Sequence, residues 1–269
     1  MPKAAVLGSP ISHSKSPLLH SAAYRALDLP WTYERHEIDE ASFGRFLAEE
    51  ASAFRGLSLT MPLKRVAFAA AAERDNAATA TGAVNTLVFG DVIRGYNTDV
   101  VGFRQALRAA GVAAGVSATV IGTGATAQSA AYAMVLDGVC ELHLVGRRPA
   151  ALTELQRWLG GFGVDAVTHG WSEALPSTEI TIAAVVAGAT DDLALPDQPG
   201  LLFDSIYAPW PTGLASAWTR CSAPVLSGTD LLIHQAAQQV LLMTRVHDDN
   251  REAIVMAMYE ALRRLDHGA

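Results

Sequence analysis

The chain has 269 residues, half of them hydrophobic and 17% charged, with a formal net charge of −7 at pH 7. This composition is typical of a globular protein with one large or two ordinary domains, and it excludes a disordered chain. The negative charge argues against a nucleic-acid partner, and the longest apolar stretch, around 180–189, is too short to serve as a membrane span.

Short apolar runs alternate with helical patterns along nearly the whole chain. The apolar runs predict strands at 4–8, 32–38, 56–60, 85–89, 92–96, 118–122, 141–145, 165–168, 180–186, 201–205 and 223–226. The helical patterns predict helices at 17–26, 42–50, 64–72, 100–110, 125–136, 149–160, 231–244 and 250–265. This alternation predicts an α/β fold with mostly parallel sheets covered by helices, and a domain break near helix 100–110. The pattern leaves open which part the last helices pack against.

The first predicted strand is followed by an unusually polar segment, "GSPISHSKSP" at 8–17. Pro17 suits the first helical position, which makes Ser16 the expected N-cap, with Ser14 just ahead of it. Two hydroxyls and the free N–H groups of a helix start suit an anion such as a substrate carboxylate. A turn with an ordinary cap would explain the same residues, and the segment alone leaves both interpretations open.

Polar residues also stand at later predicted strand ends. Thr60 and Lys64 lie in "LTMPLK", Asn85 in "GAVNT" and Asp99 in "GYNTD". Each alone could be a surface lysine or a helix cap. Together they suit the reduction of a ketone, because a lysine ammonium can stabilise a developing alkoxide and supply a proton while a carboxylate holds it in place. The sequence leaves open whether Lys64 or Asp99 is the proton donor.

The segment "ATVIGTGATA" at 118–127 joins a strand to a helix through the pattern GxGxxA. Gly122 allows a tight turn, Gly124 lets the backbone approach a pyrophosphate, and Ala127 keeps the helix close to the strand, with Ala125 in the same turn. This context predicts a dinucleotide site.

The next strand runs into Gly146-Arg147-Arg148, where NAD enzymes usually carry an acidic residue that binds the ribose 2′-hydroxyl. Two guanidinium groups match a 2′-phosphate, so the sequence favours NADP, with a solvated basic turn as the alternative.

These segments occur in the order in which the shikimate dehydrogenase family carries them, ending with "GTDLLIHQA" at 228–236, and the chain resembles that family over essentially its whole length. The resemblance implies an N-terminal α/β substrate domain at 1–103 and a Rossmann dinucleotide-binding domain at 104–235. It also implies that C-terminal helices at 236–269 return to the first domain. The implied activity is the reversible NADPH-dependent reduction of 3-dehydroshikimate to shikimate, in the cytoplasmic route to chorismate and the aromatic amino acids.

The resemblance also assigns roles to residues. Ser14 and Ser16 would hold the substrate carboxylate, and Lys64 and Asp99 match the catalytic pair. The remaining substrate contacts would come from Thr60, Asn85, Tyr207 and Gln235. The cofactor contacts would come from Gly122, Gly124, Ala125, Ala127, Arg147, Arg148 and Gly228.

Two segments depart from the family pattern. Gly146-Arg147-Arg148 stands where the family often has Asn-Arg-Thr, and "AAVVAGATDD" at 183–192 stands where it often has Asn-Ala-Thr-Ser. The cofactor contacts from these segments are therefore expected to differ.

Other interpretations stay open. They are an NAD-dependent quinate/shikimate dehydrogenase, a folate-type dehydrogenase of the same two-domain plan, and a non-catalytic nucleotide-sensing relative. Cys140 and Cys221, both in apolar surroundings, form neither a disulfide framework nor a zinc spacing, so we expect a reducing cytosol and no metal. The oligomeric state is open, a homodimer being one form.

Overall fold

The computed structural model describes residues 1–267, which fall into two units. The first contains Met1–Gly102 and the chain from Leu232 on, and the second is Phe103–Leu231. These boundaries lie one and four residues before the predicted ones at 103 and 235, so Gln235 belongs to the first unit.

The chain order of strands and helices follows the predicted alternation. The strands are β1 (Lys3–Gly8), β2 (Thr32–Glu37), β3 (Gly56–Leu59), β4 (Glu73–Arg74), β5 (Thr86–Val88), β6 (Arg94–Tyr96), β7 (Ser117–Ile121), β8 (Glu141–Val145), β9 (Ala166–His169), β10 (Ile180–Ala183), β11 (Leu201–Asp204) and β12 (Val225–Leu226). The helices are α1 (Ser16–Ala26), α2 (Glu40–Glu49), α3 (Lys64–Ala70), α4 (Asn76–Thr81), α5 (Thr98–Ala109), α6 (Ala125–Leu136), α7 (Pro149–Gly160), α8 (Gly213–Arg220), α9 (Gly228–Thr244) and α10 (Arg251–His267). Strand β4 and helices α4 and α8 were not predicted; all three are short, and α4 and α8 are stabilised by the side-chain caps Asp75 and Thr212.

The first sheet has the strand order β2-β1-β3-β5-β6-β4. Strand β5 runs antiparallel to β3 and β6, whereas the other pairs are parallel, so this sheet is mixed. As a result the carboxyl ends of β1, β3 and β6 lie at the same edge of the sheet as the start of β5. The residues that follow these three strands, and those that precede β5, are thereby brought together.

Helices cover both faces of this sheet. Successive residues of β1 point to opposite faces, so Ala4 and Val6 join one apolar cluster and Ala5 and Leu7 another. The cluster around Val6 includes residues of α1, α9 and α10. The C-terminal helices therefore belong to the core of the first unit, which confirms the implied return of these helices.

The second sheet is fully parallel, with the order β12-β11-β10-β7-β8-β9. This is the doubly wound order of dinucleotide-binding folds, whose switch point lies between β7 and β10. The predicted GxGxxA turn joins β7 to α6 at that point. Between residues 1 and 267, no helix combines the length and apolar character that crossing a membrane requires.

Candidate active site

A cluster of Lys64, Asn85 and Asp99 lies at the carboxyl edge of the first sheet. Lys64 begins α3 after β3, Asn85 immediately precedes β5, and Asp99 is the second residue of α5 after β6. The Lys64 ammonium lies 2.5 Å from Asp99 Oδ2, and Asn85 Nδ2 donates to Asp99 Oδ1 over 2.9 Å. The antiparallel β5 inserted between β3 and β6 is what brings these three residues to one place.

The carboxylate of Asp99 does not cap its own helix. The Asp99 backbone N–H donates to the side-chain oxygen of Asn97 at 3.2 Å, so Asn97 takes the capping role. The Asp99 side chain is thereby available to Lys64 and Asn85. Its charge also lies at a helix start, where the helix dipole favours an anion.

The amide of Asn85 is held in one orientation. Its Oδ1 accepts from the Thr98 backbone N–H at 2.8 Å and from the hydroxyls of Thr86 and Thr98 at 2.9 and 3.1 Å. Three donors on the oxygen leave the NH₂ group to face Asp99. Asn85 is buried, and the Asp99 side chain is 8% exposed whereas that of Lys64 is 17% exposed, so the lysine is the member of the cluster most open to solvent.

Gln235 and Thr60 lie at the same edge of the sheet. The Thr98 hydroxyl lies 3.4 Å from Gln235 Oε1, while Gln235 Nε2 donates to the Leu232 carbonyl at 2.8 Å. Thr60 follows β3, and its N–H donates to the carbonyl of Leu7, the penultimate residue of β1, at 3.0 Å. Gln235 is therefore joined to the cluster through Thr98, and Thr60 is held where β1 and β3 end.

The polar segment after β1 forms a different helix start from the predicted one. Ser16 is the first residue of α1 and Lys15 is its N-cap, so the prediction that Ser16 caps the helix is wrong. The cause is Ser14, whose hydroxyl oxygen accepts from the Ser16 N–H at 3.3 Å. With this local bond the helix begins one residue earlier than expected. Ser16 is buried and Ser14 half-buried.

The turn after β7 has the shape expected of a nucleotide-binding loop. Gly122 adopts φ +118°, and a Cβ there would lie 2.6 Å from the Ala184 carbonyl oxygen. Gly124 has an extended backbone with open space where a side chain would stand. Ala125 begins α6 and is half-buried, and Ala127 is fully buried. The residues fit a dinucleotide, because the start of α6 carries no side chain that would keep a pyrophosphate from its N–H groups.

Two exposed arginines follow β8. The Arg148 guanidinium donates to the Thr123 hydroxyl at 3.2 Å, and that of Arg147 lies over the Trp171 ring at 5.3 Å from its centroid. Thr123 belongs to the turn after β7, so Arg148 is held beside the glycine loop. Neither Thr123 nor Trp171 was predicted from the sequence.

Tyr207 and Gly228 belong to the second unit. Tyr207 is half-buried, and this burial raises the pKa of its hydroxyl. Gly228 starts α9, and a Cβ there would lie 2.1 Å from the Ser205 carbonyl oxygen, so only glycine fits this approach to the end of β11. Cys140 and Cys221 are free and exposed, although their sequence surroundings suggested apolar environments.

The structure also adds a buried polar group beneath the cluster that sequence reasoning missed. It consists of His20, Tyr33, Ser58, Thr86 and Gln239. Gln239 lies one helical turn after Gln235 in an apolar helix. A polar residue on an apolar helix face is the only feature of the sequence that could have indicated this buried cluster. Its partners lie more than 150 residues earlier in the chain.

Comparisons with known proteins agree with this geometry. The family model for the shikimate dehydrogenase substrate binding domain matches residues 6–87. A shikimate dehydrogenase (NADP(+)) of Moorella thermoacetica is 34% identical over 96% of this chain and 92% of its own length. Among solved structures, the Mycobacterium tuberculosis shikimate dehydrogenase is 35% identical, with a TM-score of 0.84 over 97% of this chain and all of the other. A Thermus thermophilus enzyme in complex with NADP(H) and shikimate is 30% identical, with a TM-score of 0.86 over the same shares.

Proposed function

Since this chain belongs to the shikimate dehydrogenase family, we propose that Lys64 and Asp99 are the catalytic pair of the reaction that it catalyses. The protein is an NADP-dependent oxidoreductase acting on a CH–OH group, and it reduces 3-dehydroshikimate reversibly to shikimate in the shikimate pathway. The contact of Lys64 with Asp99, backed by Asn85, is the observation that carries the residue assignment.

Reduction of the ketone needs a hydride on carbon and a proton on oxygen. NADPH supplies the hydride when it is bound. Lys64, the most solvent-accessible member of the cluster, stabilises the negative charge that develops on the oxygen, and the Lys64–Asp99 pair supplies the proton. In the reverse direction the same pair accepts the proton from the hydroxyl. Asp99 keeps the lysine in position and balances its charge at the start of α3, where the helix dipole disfavours a cation.

The remaining substrate contacts follow from the edge of the first sheet. Ser14, with the N–H groups at the start of α1, binds the carboxylate, and Ser16 completes this anion site. Thr60, Asn85 and Gln235 bind ring hydroxyls, and their positions after β3, before β5 and in α9 support this assignment. Tyr207 is a further substrate contact in this proposal.

The cofactor contacts lie in the second unit. Gly122, Gly124, Ala125 and Ala127 hold the pyrophosphate at the start of α6, and Gly228 lies by the nicotinamide. Arg147 and Arg148 bind the 2′-phosphate, a role that their two exposed guanidinium groups and the position of Arg148 beside Thr123 support.

The compartment and assembly belong to the same proposal. The enzyme acts in the cytoplasm, where its exposed free thiols stay reduced. The assembly in this proposal is a homodimer. Light scattering of the purified protein measures the assembly.

The test of the function is the absorbance of the reduced nicotinamide. Purified protein is mixed with 3-dehydroshikimate and either NADPH or NADH, and in the reverse direction with shikimate or quinate and the oxidised cofactors. We expect rapid loss of absorbance with NADPH, slow loss with NADH, and none with Lys64→Ala. The variant Arg65→Ala, which removes the neighbouring exposed cation of α3, is the control and should stay active. A folded protein that turns over neither substrate would refute the assignment, and NAD-dependent turnover of quinate would establish the related quinate activity.

A further inference from the structure

A chain of buried hydrogen bonds leads from Tyr33 to Gln239. The Tyr33 hydroxyl donates to Ser58 Oγ at 2.6 Å, and Ser58 donates to Gln239 Oε1 at 2.7 Å. These residues lie on β2, β3 and α9, so the chain crosses the first sheet from its edge strand to the C-terminal helix. Gln239 is only 2% exposed, so its amide depends on these partners.

The same chain continues from Gln239 to the candidate catalytic carboxylate. Gln239 Nε2 donates to the Thr86 hydroxyl at 3.1 Å, and that hydroxyl donates to Asn85 Oδ1 at 2.9 Å. Asn85 then donates to Asp99 at 2.9 Å. Every hydrogen bond in this series is donated in the direction of Asp99, and hydrogen bonds aligned in this way polarise one another in the same direction.

The orientation of the Gln239 amide is fixed by its neighbours. Nε2 lies 3.4 Å from the Asn85 carbonyl oxygen, which can only accept, so a flipped amide would set two oxygens against each other. The flip would also turn the Thr86 hydroxyl toward Gln239 and away from Asn85. The observed orientation is therefore the one that leaves Thr86 free to donate to Asn85.

His20 supports this orientation from the other side. Its Nε2 lies 3.2 Å from Gln239 Oε1, and its ring stacks on Tyr33 with centroids 3.9 Å apart. Burial lowers the pKa of His20 to about 3, so the imidazole is neutral at physiological pH and donates through the Nε2–H tautomer. Gln239 Oε1 thus receives two donors, while its NH₂ group faces Thr86.

We propose that Gln239 is a positioning residue for the reduction, because it orients Thr86, one of the donors that hold the Asn85 amide with its N–H groups toward Asp99. This inference rests on the proposed role of the Lys64–Asp99 pair. Gln239 lies too deep to touch the substrate, so its effect falls on turnover and leaves substrate binding largely unchanged.

Two substitutions and a matched control test the proposal. Gln239→Leu has a similar shape but no polar atoms, and we expect kcat to fall about tenfold or more while KM for shikimate changes less than about twofold. Gln238→Leu makes the same change at the next position of α9, where the amide oxygen accepts from Arg251 at 2.6 Å outside the chain of bonds, and should leave both constants near wild type. Thermal unfolding and circular dichroism define the folded fraction to which each rate is normalised.

Gln239→Glu gives a readout that a merely structural role would not produce. A protonated carboxyl group keeps the two bonds of the chain, since its carbonyl accepts from Ser58 and its O–H donates to Thr86, and it loses only the longer bond from Nε2 to the Asn85 carbonyl. We expect activity near wild type at low pH and an added loss of kcat as the introduced group ionises. The other titratable groups facing this position are His20 on α1, whose pKa is about 3, and Tyr33 on β2, whose pKa burial raises well above its usual value. Neither titrates between about pH 6 and 9.

The double variant Thr86→Val with Gln239→Leu tests whether the two residues affect kcat through the same contact with Asn85 or independently of each other. If both residues act through Asn85, the double variant should lose no more kcat than the worse single variant. Full kcat in Gln239→Leu, or a pH profile of Gln239→Glu that matches wild type, would overturn the positioning role. An inactive but folded wild-type protein would instead refute the proposed function itself.

Discussion

The Lys64 ammonium and the Asp99 carboxylate are 2.5 Å apart, although 35 residues separate them in the chain. The contact is made at a sheet edge where Lys64 is the first residue of α3 and Asp99 the second residue of α5. The two charges are unequally exposed, because Asp99 is nearly buried whereas Lys64 reaches solvent. This asymmetry suits a pair in which the lysine faces the substrate and the aspartate holds it from behind.

Removing Lys64 should therefore affect the chemical step more than substrate binding. For Lys64→Ala we expect kcat to fall by about 10²–10⁴, the range typical of a lost acid–base group, with a much smaller rise in KM. Steady-state kinetics with shikimate and NADP⁺ measure both constants. Arg65→Ala should leave them unchanged. Equal turnover by wild type and Lys64→Ala would show that the proton comes from another group.

The preference for NADP should depend on the two arginines after β8. Each charge-assisted contact to a phosphate contributes about 1.5–3 kcal/mol, so Arg147→Ser with Arg148→Ser should weaken NADPH binding by at least about tenfold. NADH binding should change little, because that cofactor has no 2′-phosphate. Fluorescence titration with both cofactors measures the ratio.

Arg157→Ser with Arg220→Ser, which removes two exposed arginines in α7 and α8, is the matched control for charge. If Arg147→Ser with Arg148→Ser still distinguishes NADPH from NADH as wild type does, other residues bind the 2′-phosphate.

The sequence predicts those parts of the site that lie in short, continuous segments. The Gly122 turn, the paired arginines and the strand-end positions of Lys64, Asn85 and Asp99 are visible because each follows from local spacing. The expected N-cap of α1, Ser16, lies one residue after the observed N-cap, Lys15, because the Ser14 hydroxyl accepts from the Ser16 N–H and competes with the expected cap.

The buried support for the site lies beyond such reasoning. Gln239 meets Thr86 across 153 positions of sequence, and no periodicity in α9 indicates which polar group on another strand it faces. The mixed sheet is also a tertiary result, because the strand pattern at 86–88 carries no sign of its direction. Both features follow from how separate elements pack, and local patterns do not encode that packing.

The two glycines of the nucleotide loop should respond oppositely to substitution. Gly122→Ala places a Cβ against the Ala184 carbonyl at φ +118°, so it should lower the free energy of unfolding by more than about 1 kcal/mol. Gly124→Val places its side chain in open space on an extended backbone at the N-cap of α6, where valine is less favourable than glycine, so the free energy of unfolding should fall by less than it does for Gly122→Ala while NADPH binding is lost.

Urea unfolding and NADPH titration of both variants measure this contrast. Tight NADPH binding by Gly124→Val would mean that the pyrophosphate does not approach the start of α6. A fully stable Gly122→Ala would mean that the turn can adopt another conformation.

The buried imidazole of His20 should make the protein less stable in mild acid. Burial lowers its pKa from 6.5 to about 3, so below pH 6.5 the unfolded chain binds a proton that the folded protein does not. The contribution of His20 to the free energy of unfolding therefore falls as pH decreases, by up to about 1.4 kcal/mol per pH unit between these two values. Between pH 7 and pH 5 the expected loss is about 2 kcal/mol.

Urea unfolding at both pH values should show this loss in wild type and in His13→Gln, which changes an exposed histidine, but not in His20→Gln. An equal pH dependence in all three proteins would mean that folding does not lower the pKa of His20, and the donor assigned to Gln239 would then carry a positive charge below about pH 6.5.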